Sequence, residues 1–295
     1  MSALPATLAQ ALAHARAAHA LPRAEARMLL LHAIGRASGD SAWLIAHDDQ
    51  ALPADAARRF ARLCQRRAAG EPVAYLTGRK AFYGLDLAVD ARVLDPRDDT
   101  ETLVDWALAL LPEDRPTDRP ANQPASRPAR VLDAGTGSGA IALALASQRP
   151  QAEIWASDAS ADALAVADAN ARRLGLRVNF RQGDWLQALP SDAVFDLIVS
   201  NPPYIAEGDP HLPALAHEPR MALTSGPDGL DALRTLVAAA RPHLRAGGWL
   251  LLEHGCDQAP AVRALLAAAG FAHAQTRCDL AGQPRCSGGQ SPDRP

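Results

Sequence analysis

The sequence predicts an α/β protein: a doubly wound parallel sheet preceded by a small helical domain. Three observations carry this. From Arg130 onward short apolar segments alternate with helical ones, the pattern of a parallel sheet with crossover helices. Residues 1–75 carry helical patterns only. Between the two regions lies a proline-rich stretch that fits neither.

Taken in order, Pro22 suits a helix start and Ala24–Ile34 is an apolar helical segment closed by Gly35. Pro53 opens a second, Ala54–Ala69, closed by Gly70. Residues 76–111 are predicted as a β-hairpin turning near Gly84, then a helix over 99–111. Asp98 with Glu101 three residues on reads as a helix start. Prolines recur at 112, 116, 120, 124 and 128 among polar residues. Segment 112–129 cannot offset its ordering entropy by burial, and is expected to be a flexible insertion. Residues 130–288 form the expected sheet domain. Its predicted strands cover 131–134, 153–157, 177–182, 195–200, 249–253 and 271–278, with a last strand near Arg285 at the sheet edge. Its helices are predicted near 139–147, 161–174, 230–244 and 258–269. Residues 289–295 are expected to be a disordered tail.

Composition excludes several classes. The chain has 295 residues, 48% hydrophobic and 21% charged, as globular domains do. No apolar run reaches about 18 residues, so no membrane span is expected. The N-terminus lacks a basic region followed by an apolar core, so a cytoplasmic location is expected. A net charge of −3 argues against a direct nucleic-acid substrate. The four cysteines form no CxxC pair, and no metal is expected.

In a doubly wound sheet, ligands bind at the carboxyl ends of strands. Three motifs fall there. The first strand runs into Gly135-Thr136-Gly137-Ser138-Gly139, whose GxGxG spacing permits a tight turn and close approach to the backbone. Asp158 follows the second strand and can accept hydrogen bonds from both hydroxyls of a ribose. After the third strand, Asp184 can accept from an adenine amino group and Trp185 can pack on its ring. Together these residues resemble the nucleoside site of class I methyltransferases, which implies S-adenosylmethionine as cofactor.

The fourth strand ends in Asn201-Pro202-Pro203-Tyr204. Two prolines remove two N–H donors and fix the backbone. The Asn201 side-chain oxygen and the Pro202 carbonyl are then two acceptors for one planar NH2 group, and Tyr204 offers a flat face for the group bearing it. Such a site suits methylation of an amide, exocyclic or aryl nitrogen by a sulfonium donor. Asn201 cannot act as a general base, and none is assigned. The tetrapeptide also occurs in adenine-N6 and guanine-N2 methyltransferases of nucleic acids, which is the alternative reading.

The flanking segments narrow the choice. Glu71–Gly78 with Phe82-Tyr83-Gly84, Pro96-Arg97, Thr100–Val104, Gly135–Leu143, Ser200–Ile205, Glu218-Pro219-Arg220, Asp228-Gly229-Leu230 and Asp279–Gly282 resemble the HemK-type family. That family methylates glutamine N5 in peptide chain release factors. The resemblance covers residues from about 20 to 288. It implies a seven-stranded class I methyltransferase sheet, a helical domain that docks the release factor, and the glutamine of a Gly-Gly-Gln motif as acceptor. By position it places the cofactor on Gly135–Gly139, Asp158 and Trp185, and the glutamine amide on Asn201–Tyr204. The chain departs from the family at Asp95, Asp98, Ala134 and His254, and in the insertion. Asp95 and Asp98 are expected to add charge beside Pro96-Arg97. Gly288-Gly289-Gln290, where the predicted tail begins, is the same tripeptide as the implied target.

Overall fold

A computed structural model of the chain describes residues 5–111 and 127–292. Most of the proline-rich stretch and the last three residues lie outside the described residues. The chain divides into two compact units: residues up to Arg79 with Pro213–His217, and Lys80–Leu212 with the remainder from Glu218.

The first unit is helical, as predicted. It comprises α1 (Leu8–His19), α2 (Arg23–Ala33), α3 (Ser41–Ala46), α4 (Ala54–Ala68) and α5 (Val73–Thr77). Thr7 caps α1, its side chain accepting from the Gln10 N–H. Pro22, Pro53 and Pro72 each precede a helix, where the missing N–H is no loss. Leu29, Leu30, Leu44 and Phe60 form the core with Ala11, Ala15 and Ala26. The alanines let the helices approach closely. Arg67 pairs with Glu25 at 2.6 Å and Arg59 donates to the Ala33 carbonyl, joining α4 to α2.

The second unit begins with a hairpin, β1 (Arg79–Phe82) and β2 (Leu85–Ala88), then α6 (Glu101–Leu110). From Lys80 on, the hairpin and helix fall within the second compact unit. The predicted capping role of Asp98 is not found. The helix starts through a 3-10 turn, Asp98–Thr100, without a side-chain cap. Asp98 instead pairs with Lys80, and Glu101 accepts from the Tyr83 N–H at 2.7 Å.

The sheet follows: β3 (Arg130–Ala134), α7 (Ala140–Gln148), β4 (Glu153–Asp158), α8 (Ala161–Leu174), β5 (Asn179–Gln182), β6 (Phe195–Ser200), α9 (Asp231–Ala240), β7 (Leu244–Glu253), α10 (Ala259–Ala268), β8 (Ala272–Cys278) and β9 (Pro284–Gln290). Its order is β5-β4-β3-β6-β7-β9-β8. The first five strands run parallel and β9 is antiparallel to both neighbours. This is the class I methyltransferase sheet. The order reverses between β3 and β6, so the strand ends of β3 and β6 flank the switch point.

Two expectations are corrected here. The last strand does not close the edge; β9 lies inside the sheet, between β7 and β8. Gly289 and Gln290 are strand residues rather than tail, paired with Leu250 and Trp249 of β7. The reason is close packing. A Cβ at Gly288 would lie 2.4 Å from Leu251 and 3.0 Å from Trp106, and one at Gly289 would lie 2.8 Å from Phe271. Positions 288 and 289 have room for glycine alone. The Gln290 side chain donates to the Gly247 carbonyl at 2.9 Å. It is therefore a sheet residue, not a mobile copy of the target tripeptide. Arg127, expected in the insertion, is also anchored: its guanidinium bonds Asp196 at 2.8 Å.

Among the described residues no helix is long and apolar enough to cross a membrane.

Candidate active site

The end of β3 and the glycine turn form one wall of a cavity of about 290 Å³. Gly135, Gly137 and Gly139 all adopt positive φ, at 77°, 55° and 85°, so the turn requires glycine at each odd position. The N–H groups of Gly135 and Thr136 both donate to the Ser157 carbonyl at the end of β4. Asp133, buried beneath the turn, accepts from the Thr136 hydroxyl at 2.7 Å and the Ala142 N–H at 3.1 Å. Burial pushes its carboxyl up to about 7 against the pull of those two donors.

Asp158 braces the turn from the next strand. Its Oδ2 accepts from the Gly137 N–H and its Oδ1 from the Ser160 N–H, both at 2.9 Å. Ser160 caps α8. Each Asp158 oxygen keeps a second lone pair, so the carboxylate can still accept from a ligand. Asp184 and Trp185 also line the cavity. Trp185 takes the left-handed conformation, φ 48°, which lays its ring against Gly135.

Across the switch point, β6 delivers Asn201-Pro202-Pro203-Tyr204. Ser200, fully buried, donates from Oγ to the Ala134 carbonyl at 2.6 Å and ties the two strand ends together. Asn201 and Pro203 line the same cavity as the glycine turn; Pro202 and Tyr204 do not. The Asn201 Nδ2 donates to Thr100 Oγ1 at 3.2 Å. Among the described residues no hydrogen bond reaches Asn201 Oδ1 or the Pro202 carbonyl. Tyr204 packs on the sheet core, with its hydroxyl 3.4 Å from Glu253 Oε1. Burial, then the Glu253 charge, raises that hydroxyl's pKa well above the phenol range. Beyond Tyr204 the chain is held by the Gln258 side chain on the Tyr204 carbonyl at 2.9 Å and by a bridge from Ile205 to Thr224.

Several contributors were given no role by the motifs, although Thr100, Ser200 and Glu218 stand in the resembling segments. Ser200, Thr100, Glu253 and Gln258 lie outside the tetrapeptide yet hold it. Glu218 is a further one: almost wholly buried, it accepts from Arg97 at 2.5 Å and from the Asp95 N–H at 3.3 Å. No local signal marks these partners, since they stand 49 to 123 residues away from the groups they bind. The two charged departures are internally matched. Asp98 faces Lys80 at 2.9 Å, and Asp95 faces Arg97 at 3.8 Å, with burial raising the Asp95 pKa. His254 is buried and satisfied on both nitrogens. Nδ1 meets the Gly255 carbonyl at 2.8 Å and Nε2 meets Ser287 Oγ at 2.7 Å. Burial lowers its pKa, so it stays neutral.

The described residues contain no cluster of three His, Cys, Asp or Glu side chains fit to hold a metal ion. The cavity does fit a nucleoside cofactor. Gly137 opens onto free space where a Cβ would stand, and carboxylates, an indole and a backbone turn surround one apolar chamber.

Comparison with known proteins agrees with this architecture. Residues 6–78 match the PrmC N-terminal domain and residues 119–226 the methyltransferase small domain. A release factor glutamine methyltransferase of Xylella fastidiosa is 50% identical over 94% of this chain and 96% of its own. One of Bordetella pertussis is 52% identical over 91% and 95%. The chain belongs to the release factor glutamine methyltransferase family. A methyltransferase structure from Pyrococcus furiosus shares the fold at TM-score 0.53 and 16% identity, covering 80% of this chain and 98% of that one. A Thermus thermophilus 16S rRNA N2 G1207 methyltransferase, solved with AdoMet and guanosine, does so at 0.51 and 21%, covering 73% and 50%. The family relatives span nearly the whole chain, so both the helical unit and the sheet unit are family features.

Proposed function

We propose that this protein methylates the side-chain amide nitrogen, N5, of the glutamine in the Gly-Gly-Gln motif of peptide chain release factors, with S-adenosylmethionine as donor. The observation that carries the reading is the state of Asn201. Its NH2 is engaged by Thr100, while its Oδ1 and the Pro202 carbonyl remain free, at the strand end that shares a cavity with the glycine turn.

Gly135–Gly139, Asp158, Asp184 and Trp185 would hold the cofactor: the turn against its chain, Asp158 on the ribose, Asp184 and Trp185 on the base. When bound, S-adenosylmethionine would supply an electrophilic methyl group for transfer to that nitrogen, and with no general base assigned the displaced proton would pass to solvent. The protein's part is positional and electrostatic. Asn201 Oδ1 and the Pro202 carbonyl accept from the two amide hydrogens of the glutamine. They hold the nitrogen in one direction and help retain electron density on it. Tyr204 and Pro203 border the carboxamide plane. Orientation of this kind contributes roughly 7–11 kcal/mol when two reactants are well placed. No metal and no covalent enzyme intermediate are required. Release factors, as protein partners, fit the family's helical N-terminal domain; a cytoplasmic location follows from such a partner.

The two halves of the site separate by mutation. Asn201→Ala should remove most turnover while S-adenosylmethionine affinity, read by calorimetry, stays within about twofold. Unchanged turnover on release factor would remove Asn201 from the account.

A further inference from the structure

Part of the cavity lining belongs to neither the cofactor strand ends nor the acceptor loop. It comes from two stretches outside the sheet: Leu94 and Pro96, ahead of α6, and Pro219, Met221 and Ala222, between β6 and α9. All five are apolar. Met221 borders the cavity yet is 60% exposed, so it stands at the mouth. A flexible, polarizable side chain in such a place suits a partner that arrives from solution.

Glu218 fastens the two stretches together. Its Oε2 accepts from the Asp95 N–H at 3.3 Å and its Oε1 from Arg97 Nη2 at 2.5 Å, across 123 and 121 positions. Bonding and lining residues alternate, 95 and 97 against 94 and 96, and Glu218 itself does not line the cavity. The clasp therefore lies behind the wall. The other end of the second stretch is tied to the residue that follows Tyr204. The Ile205 N–H donates to the Leu223 carbonyl, and the Ser225 N–H to the Ile205 carbonyl, both at 2.9 Å. The Glu218 side chain is only 3% exposed. A buried carboxylate is costly unless it is paired and hydrogen-bonded, and an apolar residue would fill the same space without that cost. What an apolar residue could not do is accept from two donors and so fix one stretch against the other.

We propose that Glu218 is a positioning residue that sets this apolar wall, and that the wall, with Met221 at the mouth, seats the substrate chain beside its target glutamine. Asn201 and Pro203 line the same cavity, so a glutamine presented to them carries its own backbone past the wall. Two glycines ahead of that glutamine leave no side chain between backbone and Met221. The inference rests on the reading of the substrate as the Gly-Gly-Gln segment of a release factor.

Glu218→Gln tests the clasp with little change of shape. It has one acceptor oxygen in place of two, so its NH2 must face either the Asp95 N–H or Arg97, and one link breaks. KM for release factor should rise at least tenfold. kcat should stay within threefold, because Asn201 is held from Thr100 and not from the wall. S-adenosylmethionine Kd, by calorimetry, should stay within twofold. Met221→Ala, at a largely exposed site, should raise the same KM at least threefold. Because Met221 acts from the wall that Glu218 sets, the double variant should fall short of the product of the two single effects.

A second readout needs no substrate: hydrogen exchange of the Asp95 backbone amide, at least tenfold faster in Glu218→Ala than in wild type. Should Glu218→Ala fail to fold, Glu218→Gln and Met221→Ala decide alone. A Glu218→Gln protein with KM within twofold of wild type overturns the proposal. So does one whose cofactor Kd weakens as much as its KM, and so does an Asp95 amide that exchanges equally in wild type and Glu218→Ala. A wild-type protein that fails to methylate release factor would instead overturn the functional reading, and the Asp95 exchange would still decide whether Glu218 sets the wall.

Discussion

Gly229 stands outside every motif that touches the cavity, yet it sets the position of the acceptor loop. It adopts φ 75°, and a Cβ built on it would lie 2.2 Å from the Tyr204 carbonyl oxygen and 2.9 Å from Gln258 Nε2. Ordinary contact begins near 3.4 Å, so Gly229→Ala requires a separation of about 1.2 Å. The Gln258 hydrogen bond to the same carbonyl would be wedged open. The left-handed backbone adds about 1 kcal/mol of strain for a residue with a Cβ. A displacement of roughly 1 Å at a reacting group costs about 100-fold in rate. Gly229→Ala should therefore lower kcat on release factor about 100-fold, or about 2.7 kcal/mol in the barrier. Cofactor Kd should stay within twofold, because neither Gly229 nor Tyr204 lines the cavity. Gly208→Ala is the control: nothing lies within 4 Å of its added Cβ. Single-turnover kinetics with calorimetric cofactor titration makes the measurement. A folded Gly229→Ala protein with kcat within threefold of wild type would refute the reasoning that this glycine positions the loop.

Gly135→Ala places a Cβ 2.9 Å from the Trp185 ring at φ 77°, and should weaken S-adenosylmethionine binding at least tenfold by calorimetry. Stability should fall as pH rises from about 4 through 7. The buried Asp133 and Glu253 carboxyls, both held near 7 in the folded chain, must ionise there, while the unfolded chain has already released those protons. The slope is at most about 1.4 kcal/mol per pH unit for each group. His254 acts in the opposite sense, costing stability as pH falls below about 6.5. Urea denaturation of wild type and Asp133→Asn between pH 5 and 8 isolates one carboxyl, and parallel curves would count against it. Leu29→Ala, at a fully buried site of the helical unit, should cost about 2–5 kcal/mol while leaving cofactor affinity within twofold, since every cavity residue belongs to the other unit.

What could be read from the sequence is what is local. The glycine turn after β3, the acid after β4 and the tetrapeptide after β6 were legible because each follows its own strand directly. The alternation of short apolar runs with helices placed those strands. Long-range pairings were not legible. Ser200 is an ordinary strand residue until β3 is beside it, and Thr100 reaches Asn201 across 101 positions. Glu253 reads as the polar end of an apolar strand. The start of β7 at Leu244 was missed because Gly247 and Gly248 resemble a loop. β9 was misplaced for a related reason: its glycines look like flexibility, but neighbouring Leu251, Trp106 and Phe271 leave room for nothing larger. Asp98 fitted the local rule for a cap and lost to a cation 18 residues away. In each case a partner distant in sequence decided what a local pattern left open.

The central claim is that the nitrogen held by Asn201 and Pro202 is the glutamine amide of a release factor. Tryptic mass spectrometry of intact release factor, incubated with this protein and methyl-labelled S-adenosylmethionine, tests it most directly. The account predicts one added methyl, localised by fragmentation to the glutamine of Gly-Gly-Gln, and none when that glutamine is replaced by alanine. Label that persists in the alanine substrate, or that appears only on added RNA or DNA, would contradict it.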